Sequence, residues 1–211
     1  MIELYTFLHS TVNNFRETGA IIPSSSVLAK AMTHVVARKN KPAKILEVGA
    51  GTGTVTKHLI NILGKNDTLD ICEINEKFIN CLEKKFQKKS EFREFDGNCR
   101  ILAIDIKEIN SKEKYDFIVS SLPLNAFDPE TVQTILDVYL KSVKPWGWIS
   151  YFEYIGIRPI KFLFSNSKEK ESIKEISKIT KNFIENNEIF HKNVFLNLPP
   201  AHVRHCQKTI C

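Results

Sequence analysis

The stretch Glu47-Val48-Gly49-Ala50-Gly51-Thr52-Gly53 is where this sequence can do chemistry. Glycines at alternate positions let a backbone turn sharply and approach a ligand closely. The dinucleotide pattern GxGxxG fails in both frames, because Thr54 and Thr56 stand where its last glycine belongs. An acidic residue, Glu47, precedes the glycines. A carboxylate there would oppose a diphosphate and suits a cationic, phosphate-free ligand. About 20 residues further on, Glu73 ends a second apolar run, where a carboxylate can accept ribose hydroxyls.

These residues need strands to carry them and helices to cover the strands. Residues 45–48 read as a short buried strand, and residues 54–63 as the helix after the glycine loop. Further strands are expected over 69–73, 100–104, 115–120 and 148–154, with the last ones over 194–197 and 201–206. Helices are expected over 27–37, 76–88, 128–143 and 169–184, the last turning Ile173, Ile176, Ile179 and Phe183 inward. Pro145-Trp146-Gly147 reads as a turn, and residues 165–173 as a polar surface excursion. Strands alternating with helices imply an α/β fold, a mostly parallel sheet covered on both faces. Residues 1–18 read as an amphipathic helix, because Leu4, Leu8, Val12 and Phe15 share one face.

The bulk properties narrow the classes. At 211 residues, 43% hydrophobic and 26% charged, the chain suits one globular domain. A formal charge of +6 points to an anionic partner, a nucleic acid or a membrane surface. Five cysteines without a CxxC pair disfavour a disulfide framework and a zinc site, and fit a reducing cytoplasm. No apolar run approaches the roughly 20 residues that a spanning helix needs. The expectation is a cytoplasmic protein whose membrane contact is peripheral, with no metal.

The ExGxGxG pattern resembles motif I of class I S-adenosylmethionine-dependent methyltransferases, and the resemblance continues in order along the chain. It implies a Rossmann-like fold with a seven-stranded sheet and S-adenosylmethionine as cofactor. Glu47, Gly49, Gly51, Gly53 and Glu73 fall on its cofactor positions. Asp105 and Ile106 follow the third strand, where such enzymes contact adenine. Ser120, in Ser120-Ser121-Leu122-Pro123-Leu124, ends the fourth strand beside the reactive methyl.

Over nearly the whole chain the sequence is similar to the bacterial phospholipid N-methyltransferases of the soluble Rhodobacter type. Thr18-Gly19-Ala20-Ile21-Ile22-Pro23-Ser24-Ser25, Tyr151-Phe152-Glu153-Tyr154 and Asn197-Leu198-Pro199-Pro200-Ala201 carry that likeness. Ser121 departs from it, standing where the family often has glycine. The resemblance implies stepwise methylation of the phosphatidylethanolamine head-group amine at the membrane surface. It also implies that residues 1–40 form helices serving as a membrane and substrate lid, with residues 41–211 as the catalytic domain. The amphipathic face of residues 1–18 would lie in the headgroup region of an anionic membrane. Tyr151, Tyr154 and the backbone at Leu122 are the candidates to receive the amine. Ser24, Ser25, Arg158, Asn197, His202, Arg204 and His205 are the candidates to hold the lipid.

Three rivals remain open. An rRNA adenine-N6 dimethyltransferase shares the glycine motif, but it usually has Asn and an aromatic residue where Ser121 and Leu124 stand. Such chains also usually continue into a helical RNA-binding domain, so nucleic acid is not the expected partner. Another aminolipid, such as an ornithine lipid, would need the same mechanism. A catalytically silent binding protein would keep the same glycines.

Overall fold

A computed structural model describes residues 25–88, 92, 95, 97–110 and 114–208. The expected amphipathic helix over 1–18 and Ser24 lie outside the described residues. Seven strands form one sheet: β1 (Lys44–Val48), β2 (Thr68–Cys72), β3 (Asn98–Leu102), β4 (Tyr115–Ser120), β5 (Val143–Tyr154), β6 (Glu188–Val194) and β7 (Ala201–Gln207), in the order β3-β2-β1-β4-β5-β7-β6. The first five are parallel, and β7 runs antiparallel to both β5 and β6. This is the Rossmann-like methyltransferase fold that the sequence implies. Strand order reverses between β1 and β4, the kind of switch point where open α/β sheets bind ligands.

Alternation along the strands divides the core. Ile45, Leu69, Ile71, Val119, Phe152 and Val203 face α1 (Ser26–Met32), α2 (Thr54–Ile60) and α3 (Glu76–Lys88). Leu46, Val48, Ile118, Ile149 and Tyr151 face α4 (Pro129–Ser142) and α6 (Ser167–Asn187). Leu28, Ala29 and Met32 of α1 are fully buried in the first of these cores, so residues 25–32 pack on the sheet.

Several boundaries differ from expectation. The helix expected over 27–37 ends at Met32, where the Thr33 hydroxyl donates to the Ala29 carbonyl, and one 3-10 turn follows at Val36–Arg38. The turn expected at 145–147 is part of β5. Trp146 takes a φ of 61° there, held by a hydrogen bond from its N–H to the Lys208 carbonyl and one to its carbonyl from Gln207. The polar stretch 165–173 is largely the start of α6. Asn166 and Glu169 form a reciprocal capping box that supplies the helix with its N-terminus. The strand expected over 194–197 lies earlier, as β6. A helix that the sequence reading did not place, α5 (Ile157–Phe164), follows Gly156.

Candidate active site

The ends of β1, β2 and β4 and the segment after β3 converge on a cleft of about 400 Å³, within the usual range for small-molecule sites. Gly49, Glu73, Asp105, Ile106 and Leu122 line it, as expected from the sequence. Ile74, Asn75, Phe78, Ile104, Phe127, Thr131 and Ile135 also line it and were missed. Ile74 and Asn75 were signalled by adjacency to Glu73. Thr131 and Ile135 are one helical turn apart on α4, but only the fold shows which face of α4 meets the cleft.

Glu73 closes the glycine loop onto β2. Its Oε2 accepts the Gly51 N–H at 2.8 Å, and Oε1 accepts those of Ile74 and Asn75 at 3.0 and 2.9 Å. A carboxylate has about four acceptor directions, so one remains for a hydroxyl donor. Asp105 caps the 3-10 turn Ile106–Glu108, accepting the Lys107 N–H at 2.9 Å, while its other oxygen lies 3.2 Å from Lys107 Nζ. Gly49 has a φ of +70°, and a Cβ there would stand 2.7 Å from Leu122 Cδ2. Only glycine keeps the floor open between β1 and β4. Gly51 and Gly53 share positive φ, and Gly53 leads into α2.

This donor set fits the adenosine half of S-adenosylmethionine. Ile74, Phe78, Ile106 and Ile135 offer apolar walls to a flat base, with Asp105 and Glu73 as acceptors for an amino group and a ribose.

Other candidates fall elsewhere. Glu47 does not line the cleft. It is fully buried on the α2 side, where its Oε1 accepts the Thr56 hydroxyl at 3.0 Å and Oε2 has no partner among the described residues. Burial pushes its carboxyl up to about 8, with Glu73 adding to the rise. The expected direct contact with a cationic ligand is therefore replaced by a largely neutral acid beneath the loop. Ser120 is also buried away from the cleft lining. Its Oγ accepts the Tyr139 hydroxyl at 2.6 Å and the Leu122 N–H at 3.2 Å, which shapes the turn after β4.

The amine and phosphate candidates need larger corrections. Tyr151 is fully buried and packs edge-on against Phe183 within the core, and its hydroxyl has no partner among the described residues. Tyr154, half-buried at the end of β5, packs on Phe152, and burial holds its phenol at about 12, protonated at neutral pH. Arg158 bonds to Glu153 and to Asn125 Oδ1 (2.7 Å). Arg204 bonds to Glu153 Oε2 (2.7 Å) and Glu188 Oε2 (2.6 Å). Two guanidinium groups facing two carboxylates leave no surplus charge for a lipid phosphate. Ser25 caps α1 by accepting the Leu28 N–H. Asn197 Oδ1 accepts the Ser25 N–H at 3.1 Å and its amide donates to the Pro199 carbonyl at 2.7 Å. His202 bonds to Asn193 Oδ1 at 2.6 Å. His205 is fully buried on Ser150, and burial lowers its ring to about 4.

Comparison with known proteins agrees with this geometry. A family model described as a methyltransferase domain matches residues 45–147, which hold the glycine loop and the cleft. The chain is 25% identical over 147 residues to an ornithine lipid N-methyltransferase of Singulisphaera acidiphila, covering 70% of this chain and 76% of that one. Among solved structures, an S-adenosylmethionine-dependent methyltransferase from Methanosarcina mazei superposes with a TM-score of 0.63 at 14% identity, over 84% of this chain and 98% of the other. The N-methyltransferase NodS from Bradyrhizobium japonicum, in complex with S-adenosyl-L-homocysteine, gives 0.60 at 14% identity, over 97% and 98%. With the glycine loop, the strand-end carboxylates and the sheet order in place, residues 45–147 form a methyltransferase domain, on the Rossmann-like fold of class I S-adenosylmethionine-dependent methyltransferases.

Proposed function

We propose that the enzyme methylates the head-group amine of an aminolipid, with phosphatidylethanolamine as the first substrate to test. The observation that carries this reading is the match to an ornithine lipid N-methyltransferase over 70% of the chain. It joins the likeness of the 18–25 and 197–201 segments to phospholipid N-methyltransferases.

The bound cofactor supplies an electrophilic methyl on sulfur. The protein's task is then alignment. Gly49 leaves room at the floor, and Leu122, against it, fixes one wall where β4 ends. Glu73 holds Gly51 and so sets the shape of the loop. An alkylammonium has a pKa of about 10.4 in water, so the amine must lose a proton before it attacks. Tyr154 stays protonated at neutral pH, so it does not serve as the proton acceptor. An apolar surrounding favours the neutral amine.

The test is transfer of label from methyl-labelled S-adenosylmethionine to vesicles of phosphatidylethanolamine, vesicles of ornithine lipid and ribosomal RNA in parallel. Label in either lipid supports the reading and identifies the amine. Label confined to RNA, or in none of them while cofactor binds, refutes it.

A further inference from the structure

The loop joining β6 to β7 has inverted polarity. Phe195, Leu196 and Leu198 are 69%, 83% and 68% exposed, while Asn197 among them is 6% exposed. Burial normally runs the other way. The inversion is built in: the Asn197 side chain accepts from Ser25 N–H and donates to the Pro199 carbonyl, which fixes the backbone inward at that residue. Its apolar neighbours are turned to solvent. Single exposed apolar residues are ordinary, but three on one clamped tip are not.

The tip lies at the carboxyl end of the sheet, the end that also carries the cleft. It returns beside the start of α5, where the Ile155 N–H donates to the Pro200 carbonyl at 2.8 Å. The last turn of helix α5 carries Leu163 and Phe164, 73% and 56% exposed. Neither residues 155–164 nor residues 189–207 contain an Asp or Glu, so no carboxylate of these segments repels an anionic surface. A protruding apolar tip suits a deformable apolar medium, whereas a protein partner would need a matching pocket.

We propose that Phe195, Leu196 and Leu198 insert into the interfacial region of an anionic lipid bilayer, so that the mouth of the cleft rests against the membrane. This rests on the aminolipid reading and names the surface that meets the lipid, apart from residues 1–18.

The experiment uses the full chain and vesicles of phosphatidylcholine with phosphatidylglycerol, which offer no amine to methylate. In the L196W variant, brominated acyl chains should quench indole fluorescence beyond the wild-type level, because Trp146 and Trp148 lie at the far end of β5. The L196D/L198D variant should partition to vesicles at least about tenfold less than wild type, which is a loss of about 1.4 kcal/mol. Its binding of S-adenosylhomocysteine should be unchanged. No added quenching, or wild-type partitioning of the double variant, overturns the proposal. So does a wild-type dimer that the double variant converts to monomer without loss of vesicle binding, which would assign the tip to a second copy of the chain. Docking with no label reaching aminolipid would refute the substrate reading and leave the docking surface standing. Methylation without quenching would do the reverse.

Discussion

Glu47→Gln isolates the buried acid under the glycine loop. Glutamine keeps the shape and still accepts the Thr56 hydroxyl. It cannot ionise. In the folded chain burial raises the Glu47 carboxyl from 4.5 to about 8. Between those values the folded state keeps a proton that the unfolded chain releases, so stability falls as pH rises. Below 4.5 the acid is neutral in both states, and above 8 the full penalty is present. Between pH 6 and pH 8 the loss comes to about 2 kcal/mol. The assay is urea denaturation of wild type and Glu47→Gln at those two pH values. Comparing the two proteins cancels the histidines, whose lowered ring values act in both alike. Wild type should lose about 2 kcal/mol relative to the variant over that window. Parallel curves would mean that Glu47 is ionised throughout, and the picture of a neutral acid beneath the loop would fail.

Four further changes test the site and its supports. Gly49→Ala sets a methyl against Leu122 at positive φ, and should cost roughly 1–3 kcal/mol in denaturation while weakening S-adenosylhomocysteine at least about tenfold by calorimetry. Glu73→Gln places an amide donor against backbone N–H groups, so the loop should loosen by about 1–3 kcal/mol and cofactor affinity should fall while the fold, followed by circular dichroism, persists. Arg204→Ala strips one partner from each of Glu153 and Glu188, and should lower stability by about 3 kcal/mol; an unchanged melting curve would return Arg204 to the pool of phosphate ligands. Asn197→Ala leaves the Ser25 N–H and the Pro199 carbonyl short of partners, with an expected loss of about 1–3 kcal/mol by denaturation.

Helix α3 and strand β4 were readable to the residue, because α3 is an amphipathic run and β4 a short, largely apolar run, each between clear breaks. The elements that were misread depend on contacts that no local pattern contains. Nothing near Pro145 announces that Trp146 will sit at positive φ inside a strand; the Lys208 carbonyl and the Gln207 side chain stabilise it from β7. Residues 165–173 look like loop because they are polar, yet Asn166 and Glu169 cap a helix whose outer face is meant for water. Helix α5 escaped because eight residues are too few to establish a period, and Pro159 inside the run reads as a breaker.

The cleft was legible because residues that line it stand at strand ends, and strand ends are marked by a change from apolar to polar or glycine residues. Gly49, Glu73, Asp105 and Ile106 all occur at such changes and all reach the cleft. The residues expected to hold a lipid were not, because an isolated arginine in a sequence has no sign of its partner. Glu153 is 5 residues from Arg158 but 51 from Arg204, and it meets both only because β7 lies antiparallel against β5. A cation becomes a phosphate ligand only when its charge is left over. In this chain the pairing across β5, β7 and β6 uses that charge up, so under the proposed lipid reading the phosphate ligands are residues that the pairing does not reach. Asn197 was misread for the opposite reason: its polarity suggested a ligand, and the structure spends that polarity on holding a loop whose apolar residues face outward.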